Sequence, residues 1–517
     1  MSARTRVNAP LVFRLHENAP DVVREVLLER GWEEFDPEEQ EEGDWNLYWS
    51  SSAFRSSDYK TLSPWQRLNH HPRTARISRK DCLARNLRRM RGAYGPALYD
   101  FSPVSFILPN DYIRFLEEYT KNKGKCVYWI CKPADLSRGR GIFIFKDIKR
   151  LTYDSIVIVQ KYISDPFLIS GYKFDLRVYV CVTSFSPLTI YMHQEGLVRF
   201  ATEKYDLASP DNPFSHLTNT SINKFGLFYA TGKERVGKGC KWSISKFRNF
   251  LHSQDVNQGL LWQKISNMVT LTLLTVAPSV PSSTNCVELF GVDILIDSNL
   301  KPWLLEVNYS PALSLDCPVD RMVKGLINDL IDLMNFRMRD RLRWKCCLHT
   351  SCLVPEKEQV LFIPKHQSCS GNLKKTPSNL FPNSKTKGAS EAPCHYSRNE
   401  LADPELCELV LCSNLKHKNP KCFSSKRFRL PSIYPPKSSQ KPPGFLKDQT
   451  IHDMTVPCHR VGDFILTYPF NEVTQKASQD PLDVRTIMHE LHKLTSRLTS
   501  AHGDAKKQRQ RRYFSQE

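Results

Sequence analysis

Residues 290–308 read FGVDILIDSNLKPWLLEVN, two strands joined by a short loop that contains Ser298 and Asn299. With 298–301 as the loop, Asp297 faces Pro302, and counting back sets Asp293 opposite Glu306. Like charges directly opposed on a sheet repel, and burial makes this worse, so a positive group is expected between them. Asn308 lies two residues beyond Glu306 and projects from the same face of its strand, adding a neutral carbonyl. Asp293, Glu306 and Asn308 thus form an oxygen-rich set of the kind magnesium takes, an ion that commonly bridges substrate phosphates. The plainer reading is one carboxylate in water on an exposed strand. Trp303, Leu304, Leu305 and Val307 oppose it, because they make the second strand too apolar to stand in solvent.

Upstream, residues 127–131, 141–145, 156–163 and 174–183 read as strands, each apolar or alternating and bounded by Gly, Pro or Asp. Helices are expected over 111–121, 262–276 and 319–335, and over 78–90, where Ser78 and Asp81 have the spacing of a capping box. The alternation of strands and helices through residue 340 predicts a mixed α/β fold. Lys132 ends an apolar strand, and Ser137-Arg138-Gly139-Arg140-Gly141 precedes the next one. Such a hairpin can close over phosphates with its amides and guanidiniums. By itself it is an ordinary basic turn, and no Walker loop occurs in the chain. Between 173 and 180 the pattern alternates, with Lys173, Asp175, Arg177 and Tyr179 on one face and Phe174, Leu176, Val178 and Val180 on the other. One side of that strand is expected to face water or a ligand.

The chain has 517 residues and a net charge of +19, with 40% hydrophobic and 11% aromatic residues, enough to bury a core and too many for a collagen-like or wholly disordered chain. The charge is uneven: residues 341–517 carry 29 basic against 16 acidic side chains and 15 of the 33 prolines. They read as a largely unstructured basic tail, with one amphipathic helix expected over 480–500. No apolar run is long enough to span a membrane, and 265–280 reads as a buried helix. No secretion signal is legible, so the expected compartment is the cytoplasm. The 16 cysteines include no Cys-x-x-Cys pair, which argues against a cysteine-based zinc site.

Seven stretches, taken in order, carry a resemblance: SRKDCLARNL (78–87), WICKPADLSRGRG (129–141), VQKYI (159–163), GYKFDLRVYV (171–180), EGLVRFAT (195–202), HLTNTSINK (216–224) and the hairpin from 290. Together they resemble the tubulin tyrosine ligase-like family, and within it the polyglutamylases, over about residues 69–335. The resemblance implies an ATP-grasp-like α/β fold, with an N-terminal domain (1–75), a central domain (76–175), a C-terminal domain with the metal site (176–345) and the basic tail (346–517). It implies ATP held by Lys132, Arg138, Gly139, Gln160, Lys161, Tyr162, Ile163, Lys173, Phe174, Asp175, Thr218 and Asn219. Magnesium, as two ions, would be held by Asp293, Glu306 and Asn308. Free glutamate would be bound by Arg199, Ser221 and Lys324, and Arg138 would also lie near the acceptor peptide. Arg138, Arg177 and Glu306 are the expected catalytic residues, and Lys80 is expected to help place substrate.

The implied reaction joins the amine of glutamate to γ-carboxyls in the acidic tails of tubulin, through an acyl phosphate. Accessory subunits and a location on the cytoskeleton, cilium or basal body go with that expectation. The net charge would speed encounter with an acidic acceptor. Two alternatives share the same residues: a glycine ligase on the same frame, and a non-catalytic microtubule-binding scaffold. Nucleic-acid binding rests on net charge alone, since no recognisable module is present.

Overall fold

The computed structural model describes residues 10–226, 457–514, and 241–341 with the exception of 284, 316, 338 and 339. All of these belong to one unit of the chain, 1–354 with 452–517; the second unit, 355–451, lies outside the described residues. Among the described residues, three sheets organise the first unit. The N-terminal one is parallel, built from β1 (Val12–Leu15), β2 (Glu33–Glu34), β3 (Leu47–Trp49) and β4 (Arg67–Leu68) in the order β2-β1-β3-β4. Helix α1 (Asp21–Glu29) buries Val22, Val23, Val26 and Leu27, spaced for one helical face, and α2 (Ser56–Lys60) is a short turn before β4. Helix α3 (Lys80–Tyr94) leads out of this sheet.

The second sheet is antiparallel: β5 (Ser105–Leu108), β6 (Trp129–Pro133), β7 (Phe143–Phe145) and β8 (Val157–Lys161) in the order β5-β8-β6-β7. Helix α4 (Tyr112–Lys121) covers it, with Phe115 packed among Phe106, Trp129 and Phe145.

The third sheet carries the long strands β9 (Phe174–Phe185) and β10 (Leu188–Phe200), then β11 (Lys241–Ser243), β12 (Glu288–Ile296), β13 (Pro302–Asn308), β14 (Arg460–Val461) and β15 (Phe464–Tyr468). Its order is β13-β12-β9-β10-β15-β14, with β11 also on β10. Two short helices, α5 (Pro213–His216) and α6 (Thr220–Asn223), follow β10. Helices α7 (Ile244–Ser253) and α8 (Gln258–Leu274) pack on one face, and α9 (Met322–Leu333) with α1 on the other. Helices α10 (Glu472–Ala477) and α11 (Val484–Phe514) close the unit.

The alternation in β9 gives a ligand-facing side only at the start, where Lys173 and Asp175 line a cleft; further along, both faces are packed. Phe174, Leu176, Val178 and Val180 enter the core beneath α7 and α8, while Tyr179 and Cys181 enter the core beneath α1 and α9. Neither face is in water. The polar residues at the start of the same strand survive burial because they pair with groups on neighbouring elements, Asp175 with Arg199, Arg177 with Asp293 and Lys173 with the Tyr162 hydroxyl. Two further expectations need correction. Arg79, not Ser78, caps α3, and the Ser78 hydroxyl donates to the Ala75 carbonyl at 2.7 Å, so no capping box forms. The expected tail is also not uniform. Residues 342–456 lie outside the described residues, whereas β15 pairs with β10 and α11 buries Ile487, Met488 and Leu491 in the main core. The helix expected over 480–500 lies largely within α11, whereas the strand that pairs with β10 was not expected. Among the described residues no helix is long and apolar enough to cross a membrane.

The hairpin reaches the expected pairing by an unexpected route. Ile296, not Asp297, faces Pro302, which alone would set Asp293 against Leu305. A bulge on β13 at Leu305 absorbs one residue, so Asp293 faces Glu306 after all.

Candidate active site

Four adjacent strands lay a row of charges across the third sheet. Arg199 on β10 faces Asp175 on β9; two residues along β9, Arg177 faces Asp293 on β12, which faces Glu306 on β13. Each opposed pair on a sheet is within side-chain reach, and here opposite charges meet except at the last step. Arg199 forks onto Asp175 at 2.7 and 2.6 Å and extends Nη2 to Asp293 Oδ2 at 2.8 Å. Arg177 forks onto Asp293 at 2.5 and 3.0 Å. The Thr218 hydroxyl donates to Asp175 Oδ2 at 2.5 Å. Gly291 leaves room for this: a Cβ there would lie 3.0 Å from Arg177 Cδ and 2.8 Å from Pro311 Cβ. Burial by itself would raise the Asp293 carboxyl, but the two guanidiniums outweigh it and hold the group well below the usual carboxylate range.

Glu306 has no such partner among the described residues. Burial pushes its carboxyl up from the ordinary value, and the neighbouring Asp293 pushes it further. Asn308 Nδ2 lies 3.4 Å from Asp293 Oδ2, 3.4 Å from Glu306 Oε1 and 3.3 Å from the Gly291 carbonyl oxygen, so the structure brings all three expected ligands together. Turning that amide over presents its oxygen instead. An unneutralised carboxylate beside a second one and a neutral amide is a donor set that fits a divalent cation. Most of the Asp293 lone pairs are already taken by arginine, so Glu306 is the ligand with capacity left.

Facing this corner is a cleft enclosing about 800 Å³ of space, open solvent included, lined by both the second and third sheets. Lys132 on β6 donates to Gln160 Oε1 at 2.9 Å, and Lys173 donates to the Tyr162 hydroxyl at 2.8 Å. Neither lysine has a carboxylate at ion-pair distance among the described residues. Burial lowers Lys132 to about 8, against the attraction of Glu306, and lowers Lys173 to about 7, with Lys132 adding repulsion. A buried and a half-buried ammonium bonded to neutral oxygens form a receptor for an anion. Ile130, Ile142, Leu217 and Leu295 supply an apolar wall to the same cleft, beside Tyr162.

The loop between β6 and β7 closes one side. Arg138 is exposed with φ 61°, and Gly139 and Gly141 follow at φ 77° and 68°. A Cβ on Gly139 would meet Ile222 Cδ1 at 2.2 Å, so only glycine lets the loop approach α6. The Ser221 hydroxyl donates to the Arg138 carbonyl at 3.0 Å.

Lys80, Lys132, Arg138, Gly139, Gln160, Lys161, Tyr162, Ile163, Lys173, Asp175, Thr218, Asn219, Asp293 and Glu306 all line the cleft. Arg177 and Arg199 stand behind it as the partners of its carboxylates. Phe174 does not reach it: the ring packs among Phe167, Phe200 and Phe247 on the opposite face. Lys324 is not brought there either. It sits on α9 and pairs with Glu25 at 2.9 Å and Glu29 at 2.8 Å on α1, so it forms no clamp with Arg199. His216 was not singled out, yet it lines the cleft, with Nδ1 2.9 Å from the Tyr162 hydroxyl and Nε2 3.1 Å from the Ser209 carbonyl oxygen. Its place at the head of HLTN was the available signal; Leu305, brought in by the bulge, had none.

Residues 57–341 match the tubulin-tyrosine ligase family. Over 506 residues the chain is 47% identical to the protein named "Probable tubulin polyglutamylase TTLL2" of Mus musculus, covering 94% of this chain and 92% of that one. The protein of the same name from Homo sapiens is 46% identical over 510 residues, 94% and 85% of the two chains. "Tubulin polyglutamylase TTLL5" of Mus musculus is 37% identical over 343 residues, 64% of this chain and 25% of its own. The chain belongs to the tubulin-tyrosine ligase family.

Proposed function

We propose that this protein is an ATP-dependent ligase that joins the amine of free glutamate to γ-carboxyl groups of glutamates in the acidic tails of tubulin. The observation that carries the reading is the pair of lysines, without carboxylate partners among the described residues, facing an acid–acid–amide corner across one cleft, in a chain whose relatives are named tubulin polyglutamylases. Lys132 and Lys173 would take phosphate oxygens, and the apolar wall beside Tyr162 would take the base. Asp293, Glu306 and Asn308 would hold magnesium, which offsets charge on the transferred phosphoryl group. ATP, a substrate here, supplies the phosphoryl that turns the acceptor carboxylate into an acyl phosphate, from which the glutamate amine displaces phosphate.

The chain's own residues do the positioning. Arg177 and Arg199 fix Asp293 and keep it ionised. Thr218 and Arg199 orient Asp175 at the cleft wall. Arg138, free of a side-chain partner among the described residues and exposed on its loop, would meet the acceptor carboxylate, for which a guanidinium fork is suited. Tubulin as acceptor puts the protein on the cytoskeleton.

The test is mass spectrometry of tubulin tails after incubation with ATP and glutamate. Wild type is expected to add mass in glutamate steps, and Glu306→Gln to add at least about 100-fold less. Equal addition by both proteins overturns the site. Addition of glycine, and not glutamate, when each is offered separately overturns the choice of amino acid.

A further inference from the structure

Away from the cleft, three side chains from distant parts of the chain converge: His193 on β10, Asp329 on α9 and Asp463 in the turn between β14 and β15. One ligand atom from each lies within 4.8 Å of the other two. None of the three lines the cleft described above. His193 is 4% exposed, and its Nε2 has no hydrogen-bond partner among the described residues. That nitrogen points to the Asp329 carboxylate, 3.5 Å from Oδ2, beyond a good hydrogen bond.

The role of the other ring nitrogen decides the proton state of Nε2. Nδ1 lies 3.0 Å from the Glu195 carbonyl oxygen and 3.2 Å from the Glu195 backbone nitrogen. With the Glu195 backbone N–H donating to Nδ1, Nε2–H points at Asp329; with Nδ1 donating to the carbonyl instead, the Nε2 lone pair faces two carboxylates and a cation between them makes the arrangement favourable. A ligating histidine typically donates its second N–H to a backbone carbonyl in this way.

The surroundings are built to hold the acids close. Asp329 Oδ2 accepts the Asp463 backbone N–H at 2.7 Å, and Arg460 pairs with Asp463 Oδ1 at 2.6 Å, leaving one oxygen of each carboxylate uncommitted by these bonds. Gly462, at φ 55°, has no room for a side chain: a Cβ would fall 2.1 Å from the Asp329 carboxyl carbon. Phe464 covers the His193 ring edge-on.

We propose that His193, Asp329 and Asp463 form a binding site for a divalent transition-metal ion of the zinc type, which ties the returning segment 460–468 to β10 and α9. One imidazole with two carboxylates is a borderline donor set that suits zinc better than magnesium. With bonds of about 2.0–2.2 Å in tetrahedral geometry, two ligands of one zinc stand about 3.3–3.6 Å apart, so side chains whose ligand atoms all lie within 4.8 Å of one another need to close by up to about 1.5 Å. The absence of a Cys-x-x-Cys motif does not bear on this site, because its ligands come from three elements far apart in sequence.

The experiment uses the full chain carrying Glu306→Gln, which weakens the other metal-binding corner. After chelator stripping, the protein is equilibrated with micromolar Zn²⁺ and millimolar Mg²⁺ and desalted, and bound metal is counted by elemental analysis. About one equivalent of zinc is expected to remain, and adding His193→Gln or Asp329→Asn should lower the affinity at least tenfold with the circular dichroism unchanged. X-ray absorption at the zinc edge gives a reading that needs no further variant: an imidazole nitrogen and carboxylate oxygens are expected in the shell. No retained zinc, a shell of sulfur or one without imidazole, or full retention in a folded His193→Gln protein overturns the proposal.

Discussion

Arg199 neutralises two carboxylates at once, Asp175 and Asp293, and both are at most 3% exposed. Removing one member of a buried ion network leaves uncompensated charge, which costs about 3–5 kcal/mol. Arg199→Ala is therefore expected to lose about that much stability in urea denaturation, and Arg199→Lys to fall between, since a point charge cannot fork onto both acids. A change below about 1 kcal/mol for Arg199→Ala would refute the shared role. The two lysines give a pH signature. Because burial lowers Lys132 to about 8 and Lys173 to about 7, the unfolded chain binds more protons than the native one from those values up to the ordinary lysine range. The contribution of these groups to stability is thus unfavourable at neutral pH and improves as pH rises through that window. A bound polyanion reverses the balance by favouring both ammoniums. Calorimetry at pH 8 in buffers of different ionisation enthalpy should show proton uptake on ATP binding, with affinity falling from pH 7 to 9. Binding without proton exchange would count against the lysines as phosphate ligands.

At the scale of the elements, the loop before β7 depends on one conformation. Gly139 lies at φ 77° with its missing Cβ against Ile222, so Gly139→Ala strains the loop by about 1–2 kcal/mol and holds it away from α6. The loop is at the surface, so the melting temperature should hardly move, while KM for ATP should rise about tenfold; an unchanged KM would show that the loop does not act on the nucleotide. The hairpin shows what was legible in the sequence and what was not. Two strands close in sequence are paired by a short turn, so Asp293 and Glu306 could be matched by counting, though the count succeeded only because the Leu305 bulge offset an error of one residue at the turn. The guanidiniums between the carboxylates were expected only as some positive group. Their identity depends on how β9 meets β10 and β12, and β12 is more than a hundred residues away from β9, where no local pattern sets register. The pairing of Lys324 with Glu25 and Glu29 was illegible for the same reason, since a helix face does not say which of its neighbours a lysine will meet.

For the whole molecule, the main surprise is that the fold is completed by residues following a long basic stretch. Phe464, Ile465, Tyr468, Ile487, Met488 and Leu491 are each at most 3% exposed, and they pack on β10, α8 and the core beneath them. Burying side chains of this size contributes about 1.5–3 kcal/mol each. The six together amount to on the order of 10 kcal/mol, comparable with the entire stability of an ordinary domain. Removing them also strips β15 from β10 along residues 190–193, leaving an unpaired edge open to aggregation. A chain cut after Lys345 keeps every residue that lines the cleft, so if the tail were only an appendage it would stay soluble and active. The expectation is the opposite: the shortened protein should be largely insoluble, and any soluble fraction should melt over a broad range far below the full chain. A sharp thermal transition within a few degrees of the intact protein would show that the apolar contacts of residues 457–498 add nothing to the fold.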